Sequence, residues 1–366
     1  MAIASSEQFR SDLVQVSKLA TDCMSQTGLA PEAAERILQC LVLTTKGGNI
    51  LRGRTVLDSG WMLNGQNLSP VQNEDLKVLG CLVELLSAAY LIWDDIMDGS
   101  LTRRGQPCWY RREAVGMMAI NDACLVKSAI YVTLKERFHE HEAYIDLYEL
   151  FAEASLRTEL GQHCDLMSSA RLVELDQFRW DHYEFITMHK TAFYTFYLPV
   201  AIPLVYLRIA TSAKLKQVYE ISMLLGLVFQ ARDDFLDVYG DEKVTGKIGT
   251  DIQEHKCSWL SVMALQHCND EQKSVLRNCY GSTNEDDVAK VKGIFQELNL
   301  IKIFYDWDKE MLTKINTMVN EMADLPLKEV FIEFQSKYFR DPRRSLTQSI
   351  ANDIVTNQAL ESHLNG

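Results

Sequence analysis

The sequence predicts an all-α protein, and three observations carry that prediction. Apolar residues recur at helical spacing through most of the chain, with no convincing run of alternating residues. Breakers are few, with 7 Pro and 18 Gly in 366 residues, so long helices are permitted. Two aspartate clusters, Asp94-Asp95-Ile96-Met97-Asp98 and Asp233-Asp234-Phe235-Leu236-Asp237, each lie in an apolar stretch of helical pattern. Residues four apart share a helix face, so Asp94 stacks over Asp98 and Asp233 over Asp237. Like charges at that spacing weaken a bare helix, and two such clusters point to a bound cation. Carboxylate oxygens favour hard ions, and Mg²⁺ bridges a few of them to phosphate groups.

The elements follow in order. A first helix fits residues 6–25. Pro31 opens a second, with Glu32 and Glu35 near its positive end. Gly47, Gly48 and Gly53 read as breakers around residues 49–52. Ser69-Pro70 is a start signal, Ser as N-cap and Pro at the first helical position. An apolar helix then runs from about residue 76 into the first cluster. Residues 102–107 are a loop by content. Further helices fit residues 119–137, 144–166 and 176–206, the last kinked or ended by Pro199 and Pro203. Residues 215–238 carry the second cluster, and 240–251 read as a loop. Later helices fit residues 250–266, 270–279, 287–298 and 301–324. No linker divides the chain, so one helical domain is expected over residues 1–345, with a polar tail at 346–366.

Composition narrows the function. A net charge of −13 argues against nucleic acid, whose phosphate backbone needs a Lys/Arg surface. It leaves room for a diphosphate, which needs only a local cluster of cations. Nine scattered cysteines, without CxxC pairs or zinc spacing, fit buried thiols in a reducing compartment. Residues 1–13 carry Glu7, Arg10 and Asp12 and no apolar core, so no secretory signal is expected. Apolar runs such as residues 197–207 are too short to span a bilayer. A soluble, cytoplasmic protein is the expectation. Zinc enzymes are disfavoured by ligand type, and nucleotide binding by the lack of a P-loop.

The first cluster runs on into Arg103-Arg104-Gly105-Gln106-Pro107-Cys108-Trp109, and paired arginines supply forked donors for phosphate oxygens. Lys190-Thr191-Ala192-Phe193-Tyr194 follows, then the second cluster ending Gly240-Asp241. Val244-Thr245-Gly246-Lys247-Ile248-Gly249-Thr250-Asp251 and Lys256-Cys257-Ser258-Trp259 complete the set. In content and order, from about residue 8 to about residue 340, these motifs resemble the farnesyl diphosphate synthase family. The resemblance implies a large helical bundle of the isoprenoid synthase type, commonly homodimeric. Its two aspartate motifs would face a deep central cavity and hold three Mg²⁺ around an allylic diphosphate. Asp94, Asp98, Asp233 and Asp237 would be metal ligands, with Asp95 and Asp234 orienting them. Arg103, Lys190, Thr191, Gln230, Lys247 and Lys256 would contact that diphosphate, and metal and lysines would gather the leaving group's charge.

Four positions depart from the family. Its second diphosphate, that of isopentenyl diphosphate, sits on a cluster that begins Gly-Gly-Lys-x-x-Arg-Gly; here the segment is Gly47-Gly48-Asn49-Ile50-Leu51-Arg52-Gly53. Asn49 replaces a charge whose loss costs about 1.5–3 kcal/mol, while Arg52 and Arg104 remain. Ser87 stands where the family uses glutamine. Tyr90 and Ala89 occupy the chain-length positions, and Ala89 in place of an aromatic would deepen the pocket. Arg232, where the family commonly has glutamine, adds a cation beside the second cluster. Together these changes resemble the insect terpene synthases derived from the family. They predict a Mg²⁺-dependent sesquiterpene synthase that ionises farnesyl diphosphate, with Tyr90, Phe193, Tyr194 and Phe229 steering the cation. The alternatives are a short-chain prenyltransferase using isopentenyl diphosphate and a non-catalytic partner subunit.

Overall fold

The structure, a computed structural model, describes residues 5–240 and 249–339. Helices dominate it, and the chain divides into two compact units, each considered by itself.

The first unit holds Met1–Glu159, Ala192–Ser222 and Met322–Phe331. Helix α1 (Ser6–Ser25) starts where the Ser5 side chain accepts from the Gln8 N–H, and α2 (Pro31–Thr45) opens on its proline. Helix α4 (Pro70–Met97) begins with a reciprocal capping box between Ser69 and Gln72, which satisfies two otherwise orphaned N–H groups. Helix α3 (Leu51–Leu63) follows Ile50, which is left-handed at φ 48°. Gly53 lies inside α3 rather than breaking the chain there. A Cβ on it would fall 2.6 Å from the Gly80 carbonyl oxygen of α4, and one on Gly80 would fall 2.4 Å from the Gly53 oxygen. The two helices meet backbone to backbone, which only glycine allows. Buried Glu84 of α4 accepts the Gly53 N–H at 2.8 Å, so it closes the N-terminus of α3 from a neighbouring helix. Helix α5 (Ala119–Phe138) packs on α4 and α1, and α8 (Leu198–Tyr206) packs on α3.

Helix α4 and the segment Gly116–Phe138 are long and apolar enough to cross a membrane by length and composition. The apolar window of α4 is 83% buried inside the protein, the setting of a core helix.

Residues expected as a loop form a two-stranded hairpin, β1 (Thr102–Arg103) and β2 (Gln106–Pro107), in the register Thr102↔Pro107 and Arg103↔Gln106. Its turn residues Arg104 and Gly105 both have positive φ, 56° and 72°, as a tight two-residue hairpin demands. The two neighbouring arginines are thereby split, one on a strand and one on the turn.

The second unit holds Leu160–Thr191, Met223–Glu321 and the described residues from Ile332 to Phe339. It takes the C-terminal part of α6 (Tyr144–Ser169), α7 (Trp180–Thr187) and most of α9 (Ser212–Tyr239). To these it adds α10 (Trp259–His267), α11 (Asp270–Cys279), α12 (Glu285–Glu297) and α13 (Leu300–Asn320). Trp259, Phe235, Phe304 and Phe295 form an aromatic core, Phe235 stacking on Phe304 at 4.2 Å. Phe235 belongs to the second aspartate cluster, so core packing fixes how that turn of α9 is rotated.

Three expectations change. Residues 176–206 are not one kinked helix: a short 3₁₀ turn and α7 lead into a π-helical stretch, Met188–Tyr197, and then α8, which has Pro199 in its first turn and Pro203 inside it. The helix expected from residue 250 begins only at Trp259, where Ser258 and Ser261 form a capping box; residues 251–255 are turn. Helix α14 (Leu325–Phe339) was not anticipated from the sequence. The tail expected at 346–366 lies outside the described residues.

Candidate active site

The first aspartate cluster ends α4. Asp94 and Asp98 are half-buried, while Asp95 between them is 3% exposed and turned inward. The hairpin brings Arg103 onto this cluster: its Nε donates to Asp95 at 2.9 Å, and its Nη2 donates to Asp95 at 2.6 Å and to Asp94 at 3.1 Å. Burial pushes the Asp95 carboxyl up from its usual range and Arg103 pulls it back. Burial likewise opposes the charge of Arg103, but the Asp95 hydrogen bond and both carboxylates overcome it, so its pKa rises. Arg103 therefore fixes the Asp95 carboxylate while its own charge stays beside Asp94.

Arg104 goes elsewhere. Its guanidinium lies against Gly48, where a Cβ would fall 2.7 Å from Cζ, and its Nη1 donates to the Lys46 carbonyl at 3.3 Å. Burial lowers its pKa; Glu84 works against that, and the nearby Arg52 and Arg103 charges lower it further. Arg52 donates to Thr195 Oγ1 at 3.0 Å and to the Tyr194 hydroxyl at 3.3 Å, and its Cζ stands 4.8 Å from the Tyr194 ring centroid. Arg52 and Arg104 thus lie close enough for each charge to act on the other, while Arg103 is neutralised by Asp94 and Asp95. Tyr90 is buried at 8% exposure and its hydroxyl donates to the Ser155 carbonyl or to Glu159. Ala89 is fully buried, as is Ser87, whose hydroxyl has no hydrogen-bond partner among the described residues.

In the second unit the π-helical stretch presents Lys190 and Thr191. Its backbone approaches α6 at Gly161, where a Cβ would sit 2.1 Å from the Lys190 nitrogen. Wide π turns accommodate such an irregular approach and are common at functional sites. One turn further along α6, Asp165 Oδ2 accepts from Lys190 Nζ at 2.7 Å and from Lys256 Nζ at 2.9 Å. Burial alone would raise the Asp165 pKa, but the two ammonium groups overcome it and hold the carboxyl at about 2. Sequence reasoning did not single out Asp165. Its partners are 25 and 91 residues away, and the one local hint is a mid-helix glycine one turn before it.

The second cluster repeats the plan of the first. Asp233 and Asp237 are half-buried, while Asp234 is 5% exposed and turned inward. Thr191 Oγ1 donates to Gln230 Oε1 at 3.0 Å, and Gln230 Nε2 donates to Asp234 Oδ1 at 2.9 Å. The Trp259 backbone N–H donates to the other Asp234 oxygen at 2.8 Å. Burial pushes Asp234 well above the usual carboxylate range against those donors. Asp237 accepts the Asp251 N–H at 3.0 Å, and Gly249 permits a close backbone approach to Asp237. Lys247 lies outside the described residues. Among those residues no three His, Cys, Asp or Glu side chains form a ready-made metal cage.

Arg232 is committed to an ion pair with another helix. Its Nε and Nη2 grip Asp308 of α13 at 2.6 and 2.7 Å, and its Cζ lies 5.0 Å from the Phe339 ring centroid. The aromatics expected to steer a cation are occupied too. Tyr194 faces Arg52, Phe193 faces Arg157 at 4.7 Å, and Phe229 packs edge-on against Tyr338.

Solved structures resemble this one closely. A T. brucei farnesyl diphosphate synthase complexed with a bisphosphonate aligns with a TM-score of 0.84 at 28% identity, covering 91% of this chain and 98% of its own. The complex with risedronate gives 0.82 over 92% and 99%. The fold is thus that of the all-α isoprenyl diphosphate synthases. The polyprenyl synthetase model matches residues 34–298. The farnesyl pyrophosphate synthase of Schizosaccharomyces pombe is 44% identical over 300 residues, 81% of this chain and 86% of the relative. That of Rattus norvegicus is 38% identical over 317 residues, 84% and 88%. The chain belongs to the polyprenyl synthetase family.

These relatives overturn the expected sesquiterpene synthase. These relatives bear the name farnesyl pyrophosphate synthase, and the polyprenyl synthetase match over residues 34–298 includes Asn49, Ser87 and Ala89, on which that expectation stood. The physical reason is visible in the first unit. Asn49 is an exposed loop residue, whereas Arg52 and Arg104 remain near each other, and the fully buried Ala89 sits in a packed helix.

Proposed function

We propose that the chain is a short-chain prenyltransferase that condenses isopentenyl diphosphate with an allylic diphosphate. One observation carries this reading: Lys190 and Lys256, from segments far apart in sequence, converge on a single buried carboxylate, Asp165. A buried acid that gathers two ammonium groups builds a cationic platform suited to a diphosphate leaving group. As the allylic C–O bond breaks, negative charge moves onto the diphosphate and the lysines stabilise it. The isopentenyl double bond then attacks the allylic carbon, forming the C–C bond, and a carbon beside the new cation loses its proton to the departed diphosphate, restoring a double bond. Arg52 and Arg104, near each other in the first unit, support the second requirement of that reaction, a place for a diphosphate that does not leave.

Each pair, Asp94 with Asp98 and Asp233 with Asp237, offers two carboxylates, which fits Mg²⁺ completed by water and substrate phosphate. Bound there, the ion would neutralise diphosphate charge during ionisation. Asp95 and Asp234, fixed by Arg103, Gln230 and the Trp259 N–H, would hold the two aspartate turns in shape.

A homodimer completes the reading. Ile145, Tyr148 and Leu156 lie on one side of α6 and are 61%, 42% and 53% exposed, an apolar stripe suited to a second copy. Light scattering on the purified protein tests this.

The function is tested by incubating the protein with Mg²⁺ and geranyl diphosphate, with and without isopentenyl diphosphate. The expected result is a chain-extended diphosphate, formed only when both are present. Release of diphosphate from the allylic substrate alone, with no elongation, would refute it.

A further inference from the structure

The chain must hold a second diphosphate without the lysine that the family's glycine motif carries, since Asn49 stands there. The structure supplies another cation at the same loop. Arg10 of α1 donates from Nη2 to the Gly48 carbonyl at 2.5 Å, across 38 residues of sequence. Among the described residues no carboxylate pairs with Arg10, although the protein carries a net charge of −13. An arginine in so acidic a chain, spent on a backbone carbonyl, calls for an explanation.

The loop itself needs restraint. Gly47 is left-handed at φ 85° and Ile50 at φ 48°, and Ile50 carries no side-chain cap for α3. A β-branched residue in that region is strained, and surrounding contacts must hold it there. Two guanidiniums do so: Arg104 takes the Lys46 carbonyl and Arg10 the Gly48 carbonyl. Gly48 is flanked by both, because the Arg104 guanidinium fills the space that its Cβ would occupy. Arg54, one turn into α3, donates to Ser6 at 2.8 Å, a second tie between α1 and this region.

We infer that Arg10 is a specificity and positioning residue for the isopentenyl diphosphate, fixing the Gly47–Gly48 turn and supplying the positive charge that Asn49 does not. This rests on the prenyltransferase reading above. The residue reaches its place through helix α1, so the charge comes from a distant segment in place of the loop's own side chain.

Steady-state kinetics with Arg10→Ala tests the inference. Loss of a charged donor predicts a rise of about tenfold in KM for isopentenyl diphosphate. KM for the allylic diphosphate stays near wild type. Arg10→Lys recovers most of the loss, and so does Asn49→Lys introduced into Arg10→Ala, because each restores a cation at the loop. An unchanged KM for isopentenyl diphosphate overturns the inference. So does an equal rise in both KM values with a lowered melting temperature, which is the mark of a general structural role. Calorimetric titration with isopentenyl diphosphate separates this from the parent reading. A wild type that binds but does not elongate refutes the prenyltransferase, and the affinity of Arg10→Ala relative to it still decides Arg10. A wild type that does neither refutes both.

Discussion

Asp165→Asn is the most informative single change, because it removes a charge and leaves shape almost intact. Asp165 accepts from Lys190 and Lys256 through one oxygen, and its pKa is held at about 2, below the usual aspartate value of 3.8. Each unit is worth about 1.4 kcal/mol, so the ionised carboxylate contributes on the order of 2 kcal/mol to stability near neutral pH. The depressed folded pKa sets the direction. That stability is fully present above about pH 4 and is lost as pH falls towards 2. Asn keeps one acceptor oxygen but no charge, so the buried anion between the two ammonium groups is lost. The cost should therefore reach about 2–4 kcal/mol, since breaking a buried ionic cluster costs more than its net worth. Chemical denaturation measured between pH 3 and pH 7 reads it: the gap between wild type and variant should be widest at pH 7 and should narrow below pH 4. In parallel, kcat should fall and KM for the allylic diphosphate should rise, because the lysines lose their fixed positions. A variant as stable as wild type at pH 7, with unaltered kinetics, would show that Asp165 neither anchors nor positions the pair.

Three further changes separate structural from chemical roles. Arg232→Met should cost about 3 kcal/mol in denaturant unfolding by stranding Asp308, and Arg232→Met with Asp308→Leu should recover most of it. Gly53→Ala places a methyl 2.6 Å from the Gly80 oxygen and should destabilise by about 1–3 kcal/mol; a neutral result would mean that α3 and α4 can part freely. Tyr90→Phe removes the hydroxyl that reaches Ser155 and Glu159 and should cost about 1 kcal/mol, readable as a lowered melting temperature.

The sequence by itself determined what depends on neighbours along the chain. Helix starts at Ser6 and Pro31 and the Ser69-Pro70 signal rest on caps and fixed φ angles, which are local, and they stand where expected. The two aspartate clusters were legible because their i,i+4 spacing is written in five consecutive residues, and the order of the motifs carried the family. Only the tertiary structure decided what depends on residues meeting across the chain. Gly53 reads as a breaker until Gly80 is seen to press against it, and Arg232 reads as a site cation until Asp308 is found 76 residues on. Residues 250–258 have a helical pattern, yet the chain turns there to bring Lys256 beside Asp165 and the Trp259 N–H onto Asp234. Asp165 itself has no spacing that marks it, since its importance lies wholly in the two lysines folding delivers to it. Substitutions at Asn49, Ser87 and Ala89 suggested a lost function, because sequence shows which charge is missing and not which other segment can restore one. Charge and packing act through space, so a residue's neighbours in sequence fix its conformation while its neighbours in the fold fix its chemistry.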